Sequence, residues 1–313
     1  MNGGPSTATV SRPKPRRILL DAPSWLALRQ VMPGVPVPVG IEPRWDDGIA
    51  QGQQEETRAA AVQRLMEAGV LRSSPRVDLP ATNVVNPVVA SALLLLAVAP
   101  VRVSLRSWAQ GKAIQASLGL TGDRGVGLAR LQPVNRAANG EPVLATDRVG
   151  IEFSAFLVEH AVAEVMRLLP PGADEGAVDE VSATSPRPVA VGWEQSIAWA
   201  TALDEGRDDV LAALLADEGL AEVPQLFEDV ALRRAGAVEV VVAVGGGGPE
   251  WRGLWLMTGT ATVTVLPYRD TDGATKVRLA TSGPGAVRRA VLDALTSAYD
   301  TVAAAPRGQR KDG

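Results

Sequence analysis

The sequence predicts an α+β fold: a central antiparallel β-sheet built from two pseudo-equivalent meanders, flanked by N- and C-terminal helical bundles. Three observations carry that prediction. Apolar and polar residues alternate in short runs, as where Val101, Val103 and Leu105 interleave with Arg102, Ser104 and Arg106. The runs are joined by turns such as Thr121-Gly122-Asp123, too short to hold a crossover helix, so neighbouring strands must run antiparallel. The order helices, strands, helix then recurs after about 150 residues, which suits one domain made of two similar halves.

Taken in order, residues 1–17 are rich in Gly, Pro and Ser and are expected to form a disordered tail; they lack the apolar stretch of a signal peptide. The N-terminal half, 18–171, opens with a strand at Ile18–Asp21 and a helix carrying Trp25, Leu26, Leu28 and Val31. Pro33 to Pro43 demands extended or turning chain. Gln54–Val70 predicts a helix: Glu55 and Glu56 complement the dipole at its start, Val62, Leu65 and Met66 form an apolar stripe, and Gly69 stops it. A second, apolar helix is expected over Pro87–Val98. The run Val88–Val101 holds about 14 residues, short of the roughly 20 that cross a bilayer, so a buried helix is favoured.

Strands are expected at Val101–Leu105, Ile114–Leu120, Val126–Leu128 and Val143–Ala145. Phe153, Phe156, Leu157, Ala161, Val165 and Leu168 recur at i, i+3, i+4 spacing and predict one long helix ended by Pro170-Pro171. Residues 172–188, small, polar and acidic, form a linker. The C-terminal half, 189–304, begins with three expected helices, at Val191–Leu203, Asp208–Asp217 and Val223–Arg234. Strands follow at Ala237–Val244, Trp251–Thr258, Ala261–Tyr268 and Lys276–Thr281. A closing helix from Gly285 carries Val287, Val291, Leu295, Ala298 and Val302 on one stripe, and 305–313 form a second tail.

The composition excludes several chemistries. There is no cysteine, so disulfide scaffolds, thiolate metal sites and cysteine nucleophiles are out; a single histidine, His160, excludes His-rich metal sites. A net charge of −4 argues against a nucleic-acid partner. No metal, cofactor or catalytic residue is expected, nor insertion into a membrane, and the chain is placed in the cytoplasm. Gly245–Gly248 lacks the Gly-Lys-Ser/Thr of a phosphate loop and precedes a strand, so it is expected to be a hairpin turn. His160 has Glu164 one turn on but no nucleophile motif nearby, and fits a structural histidine. The pairs Glu55-Glu56, Asp208-Asp209 and Asp217-Glu218 fit helix ends. Among seven tryptophans, Trp251 and Trp255 share one face of a strand across Gly253. Core packing explains most of that set, with part of it free to form an aromatic docking surface. Arg102, Ser104, Arg106, Gln115 and Ser117 give the first meander a polar face, either solvated or met by a partner.

Element order and several segments resemble the EspG family, the cytosolic chaperones of type VII (ESX) secretion. The likeness runs through MPGVPVPVGIEP, QEETRAAAVQRLMEAGVL and VRVSLRSW in the first half, and through WRGLWLMTGTATVTVLP and PGAVRRAVLDALTSAYDTV in the second. It departs at Met257-Thr258-Gly259-Thr260-Ala261, where an Asp-Thr-x-x-Gly-Arg-like stretch is usual. The resemblance implies a protein without covalent chemistry that holds a PE–PPE heterodimer or a related helical-hairpin substrate, shielding its hydrophobic tip until export. It points to Leu226, Phe227, Trp251 and Trp255 as contacts, with Gly245, Gly246, Gly247 and Gly248 as an adaptable loop. Two other readings stand beside it: a small-molecule-binding or carboxylate-dependent hydrolytic α+β enzyme, which two acids converging in a deep polar pocket would favour, and a scaffold subunit of the secretion machine.

Overall fold

A computed structural model describes residues 15–35, 37–38, 40–42, 54–75, 81–109, 111–136, 142–145, 149–175, 189–204, 207, 213, 230, 234–259 and 261–305. The predicted helices Asp208–Asp217 and Val223–Arg234 fall almost wholly outside them, as do Leu226, Phe227 and the side chain of Trp199.

The first half folds as β1 (Arg16–Asp21), α1 (Ala22–Val31), α2 (Gln54–Glu67), α3 (Ala81–Val84), α4 (Pro87–Val98), β2 (Val101–Ala109), β3 (Lys112–Thr121), β4 (Arg124–Arg136), β5 (Pro142–Leu144), β6 (Gly150–Leu157) and α5 (Ala161–Arg167). The second folds as β7 (Val189–Gly192), α6 (Trp193–Asp204), β8 (Arg234–Val244), β9 (Glu250–Thr258), β10 (Thr262–Arg269), β11 (Thr275–Thr281) and the closing α7 (Ala286–Ala304). Caps agree with sequence chemistry: the Asp21 carboxylate accepts from the Ser24 amide at 2.8 Å, and Asn86 accepts from the Val88 amide at 3.0 Å ahead of Pro87.

The strands form one antiparallel sheet in the order β1-β6-β4-β3-β2-β8-β9-β10-β11-β7, with β5 paired to β4 off this path. Read outward from the central β2–β8 pair, each half repeats the same pattern: three meander strands, a fourth, then the strand that opened the half. Leu105 pairs with Val240 at the middle of that seam.

Two segments depart from the sequence expectation. The long helix predicted over Phe153–Leu168 is instead β6, a 3-10 turn at Val158–His160 and the short α5. Phe153 and Phe156 do share a helical spacing, but Ile151 and Phe153 also alternate, and pairing β6 to both β1 and β4 satisfies its backbone on two sides. Val191, expected to open a helix, lies in β7; the strand pairs with β11, and α6 starts at Trp193. Pairing to a distant strand is a tertiary gain that local periodicity does not encode.

Two cores result. One joins α1, α2 and α4 to the β1–β6–β4 side through Trp25, Leu65, Leu93, Val126 and Ile151. The other sets α5 and α7 on the opposite face of the central strands, through Leu105, Val165, Val240, Trp255 and Val291. Among the described residues no helix is long and apolar enough to cross a membrane.

Candidate functional site

Among the described residues, the helices leave the middle of one sheet face uncovered. On it, β2 shows strict alternation, with Arg102, Ser104, Arg106 and Trp108 outward and Val101, Val103 and Leu105 in the core. Cross-strand register then lays the face out in rows. One row crosses six strands as Arg130, Gln115, Arg106, Glu239, Leu254 and Val265. Its neighbour runs Gln132, Ala113, Trp108, Ala237, Leu256 and Val263. On the other side lie Ser117, Ser104, Val241 and Arg252.

Helical layers border this face at both ends. α4 packs against β3 and β4, and α6 against β7 and β11. The buried Val277 and Leu279 of β11 share the face of Arg106, as register through Val265 requires. The wall on the first-half side is the proline segment. Ile41 is buried in the first core, and Arg130 donates to the Glu42 carbonyl at 3.3 Å. Gly40 sits at φ 83°, a left-handed conformation that favours glycine and brings this wall against the Gln115 side chain.

The result is a depression of about 720 Å³ whose lining includes Gly40, Trp108, Ala113, Ala237, Glu239 and Leu254. Trp108 keeps 39% exposure between two alanines, whose small side chains leave room around the indole. The charged groups are ordered too. Glu239 takes Arg106 at 3.9 Å and Arg252 at 3.4 Å, and Arg252 also reaches Glu250 at 3.3 Å. Of the described residues that line the depression, Glu239 is the acid. An apolar floor beside half-satisfied guanidinium groups suits recognition of a polypeptide surface.

The other sequence-derived candidates lie elsewhere. Residues 245–247 form the exposed turn between β8 and β9, anchored by the Gly245 amide donating to the Pro100 carbonyl at 2.7 Å. Trp255, one of the contacts to which the resemblance points, is buried at 2%, as core packing predicts; Trp251 is half-buried beside it, ring centroids 6.1 Å apart and tilted by 48°. Both pack into the second core, on the sheet face opposite the depression, because residues of one parity along β9 meet Val238, Val240 and Val242. The hairpin turn lies about 17 Å along the strand from Glu239. The structure therefore does not bring the turn and the tryptophan pair together with Trp108 and Leu254. Trp108 went unnamed as a contact in the sequence because its signal, the polar alternation of β2, marks a face and not a residue.

His160 closes the 3-10 turn with Nε2 3.8 Å from Glu159. Glu164, buried at 2%, is held by Arg17 and by Arg167 at 3.2 Å, and Arg167 also pairs with Glu152. This network ties the edge strand β1 to α5 and β6. Glu55 and Glu56 lie in the first turn of α2, as expected for helix-start acids. The pairs Asp208-Asp209 and Asp217-Glu218 lie outside the described residues. Among the described residues no group of three or more His, Cys, Asp or Glu could hold a metal ion.

No family model and no curated protein matches the chain. Solved structures do. The chain is similar to the Mycobacterium tuberculosis type VII secretion system chaperone EspG5, solved in complex with a PE25–PPE41 dimer, with a TM-score of 0.52 and 12% identity over 90% of this chain and 96% of that one. A match to dehydratases of type I polyketide synthases has a TM-score of 0.14 and 14% identity over 62% of this chain and 79% of that one, too low to carry any argument. The structural match runs along nearly the full length of both chains, and the chain has the fold of the type VII secretion chaperone EspG5.

Proposed function

We propose that this chain is a cytosolic chaperone of the EspG type, which binds PE–PPE heterodimers or related helical-hairpin substrates and keeps their hydrophobic tips soluble for export. The observation that supports it best is the uncovered centre of the sheet, an apolar and charged depression set between two helical layers in a fold shared with a chaperone. A helical-hairpin tip laid in such a trough buries its apolar end against Trp108, Ala237 and Leu254, the helix-in-groove mode of recognition. In this reading the two halves, 18–171 and 189–304, act as one pseudo-symmetric domain that frames the trough. The turn at Gly245–Gly248 closes one end of the central strands β8 and β9, and Trp251 and Trp255 pack on the opposite face of the sheet.

Co-expression with the PE–PPE pairs of the same genome tests the reading. A single soluble species containing the chain and one pair in 1:1:1 ratio is the expected result. Separate elution of every pair, and of every small helical-hairpin substrate of the system, would sink it.

A further inference from the structure

Resting on that reading, we propose that the trough selects its cargo by charge: the substrate it takes carries carboxylates on the shoulder of an apolar helical tip. Four arginines, Arg102, Arg106, Arg130 and Arg252, stand on the open face against Glu239 and Glu250. Arg102 and Arg130 are tied to backbone carbonyls on the walls, at 2.6 Å to Ala97 and 3.3 Å to Glu42. Arg106 and Arg252 are different. Their side chains are 69% and 63% exposed; Arg106 leans on Glu239, itself 26% exposed, and Arg252 on both Glu239 and Glu250.

Four guanidinium groups facing two carboxylates, Glu239 and Glu250, leave an excess of positive charge beside the apolar floor. An incoming carboxylate completes the pairing as the tip excludes water, which strengthens the attraction when the complex forms. A basic shoulder meets the opposite outcome, since like charges juxtaposed at an interface repel and so reject a wrong partner. A second copy of this chain would set the same arginines toward a surface of its own, so charge complementarity favours an acidic partner over self-association.

The test uses the PE–PPE pair that co-elutes with the chain and measures its affinity at two salt concentrations. Arg106→Glu and Arg252→Glu should each weaken binding by about threefold to tenfold and flatten its salt dependence. Glu239→Gln, which removes the internal counter-charge, should strengthen it. Opposite signs from the exposed arginines and the half-buried Glu239, with the melting temperature unchanged, are not the mark of a merely structural effect. Equal affinity for all four proteins, with no salt dependence, overturns the charge inference while leaving the chaperone reading intact. If no pair co-elutes, the chaperone reading fails. The charge preference is then decided with two synthetic helical hairpins that share a leucine tip and carry flanking Glu or Lys. Retention of the Glu form alone upholds it, and equal behaviour of the two contradicts it.

Discussion

Gly253 lies between two tryptophans of one strand, and a Cβ there would sit 2.3 Å from the Trp255 ring and 2.7 Å from the Trp251 ring. The missing side chain is what lets both indoles fold over the strand into the second core. The tryptophan pair was legible in the sequence, but its burial was not. Period-2 alternation tells which residues share a face, and only the position of α7 decides which face is covered. Tyr299 shows a different residue-scale economy. Its hydroxyl is buried without a hydrogen-bond partner among the described residues, and burial pushes the phenol above its ordinary value of 10.0. Tyr299→Phe should therefore be neutral or stabilising by about 1 kcal/mol in chemical denaturation at neutral pH. The pH dependence has a fixed sign. A raised folded-state value means that the stability tied to this proton is complete below the unfolded value and is lost as pH rises through the folded one. Denaturation curves taken at alkaline pH should lose less stability in Tyr299→Phe than in the parent; an equal loss would refute the assignment.

At the scale of elements, α2, α4 and the second meander were legible because each carried a clear signal: first-turn acids and an apolar stripe for α2, an apolar run opened by Pro87 for α4, alternation between turns for the strands. β2 to β4 ran longer than expected, because pairing on both sides extends a strand beyond its alternating run. The region Phe153–Leu168 failed for a physical reason. A segment whose apolar residues satisfy both a helical and an alternating pattern is decided by its partners, and β6 has two, one of them the strand that opens the chain. β1 and β7 were hard to place for the same reason: each is a short strand paired to one far along the sequence. The helix α4 adds an observation that its apolar run alone could not. Leu94 and Val98 lie on its outer side at 51% and 75% exposure, so it is buried on one side only, where it covers β3 and β4.

At the scale of the molecule, the two halves meet along β2 and β8, where nine residue pairs run from Val101–Val244 to Ala109–Gly236. Leu105 and Val240, at the centre of this seam, belong to one core shared with α5 and α7. Cutting the chain in the linker would leave each half with an unpaired central strand and half of that core, a strong invitation to aggregate. Residues 1–175 and 186–313 should thus be insoluble when made separately and form one soluble heterodimer when made together. Two soluble monomeric fragments would contradict the single-domain description. The overall architecture was legible because it follows from element order and turn length. The trough was legible only as a polar face, because its depth depends on the proline segment and on helical layers packed from distant stretches of chain.

The central claim is that cargo lies on the uncovered centre of the sheet. It is tested most directly by placing a photo-crosslinking phenylalanine analogue at position 108 and, as a control, at the exposed position 193 on α6. With a co-expressed PE–PPE pair, irradiation should give a covalent adduct to the hairpin tip from position 108 and none from position 193. Adducts from position 193 alone, or a soluble complex in which position 108 never crosslinks, would contradict the account.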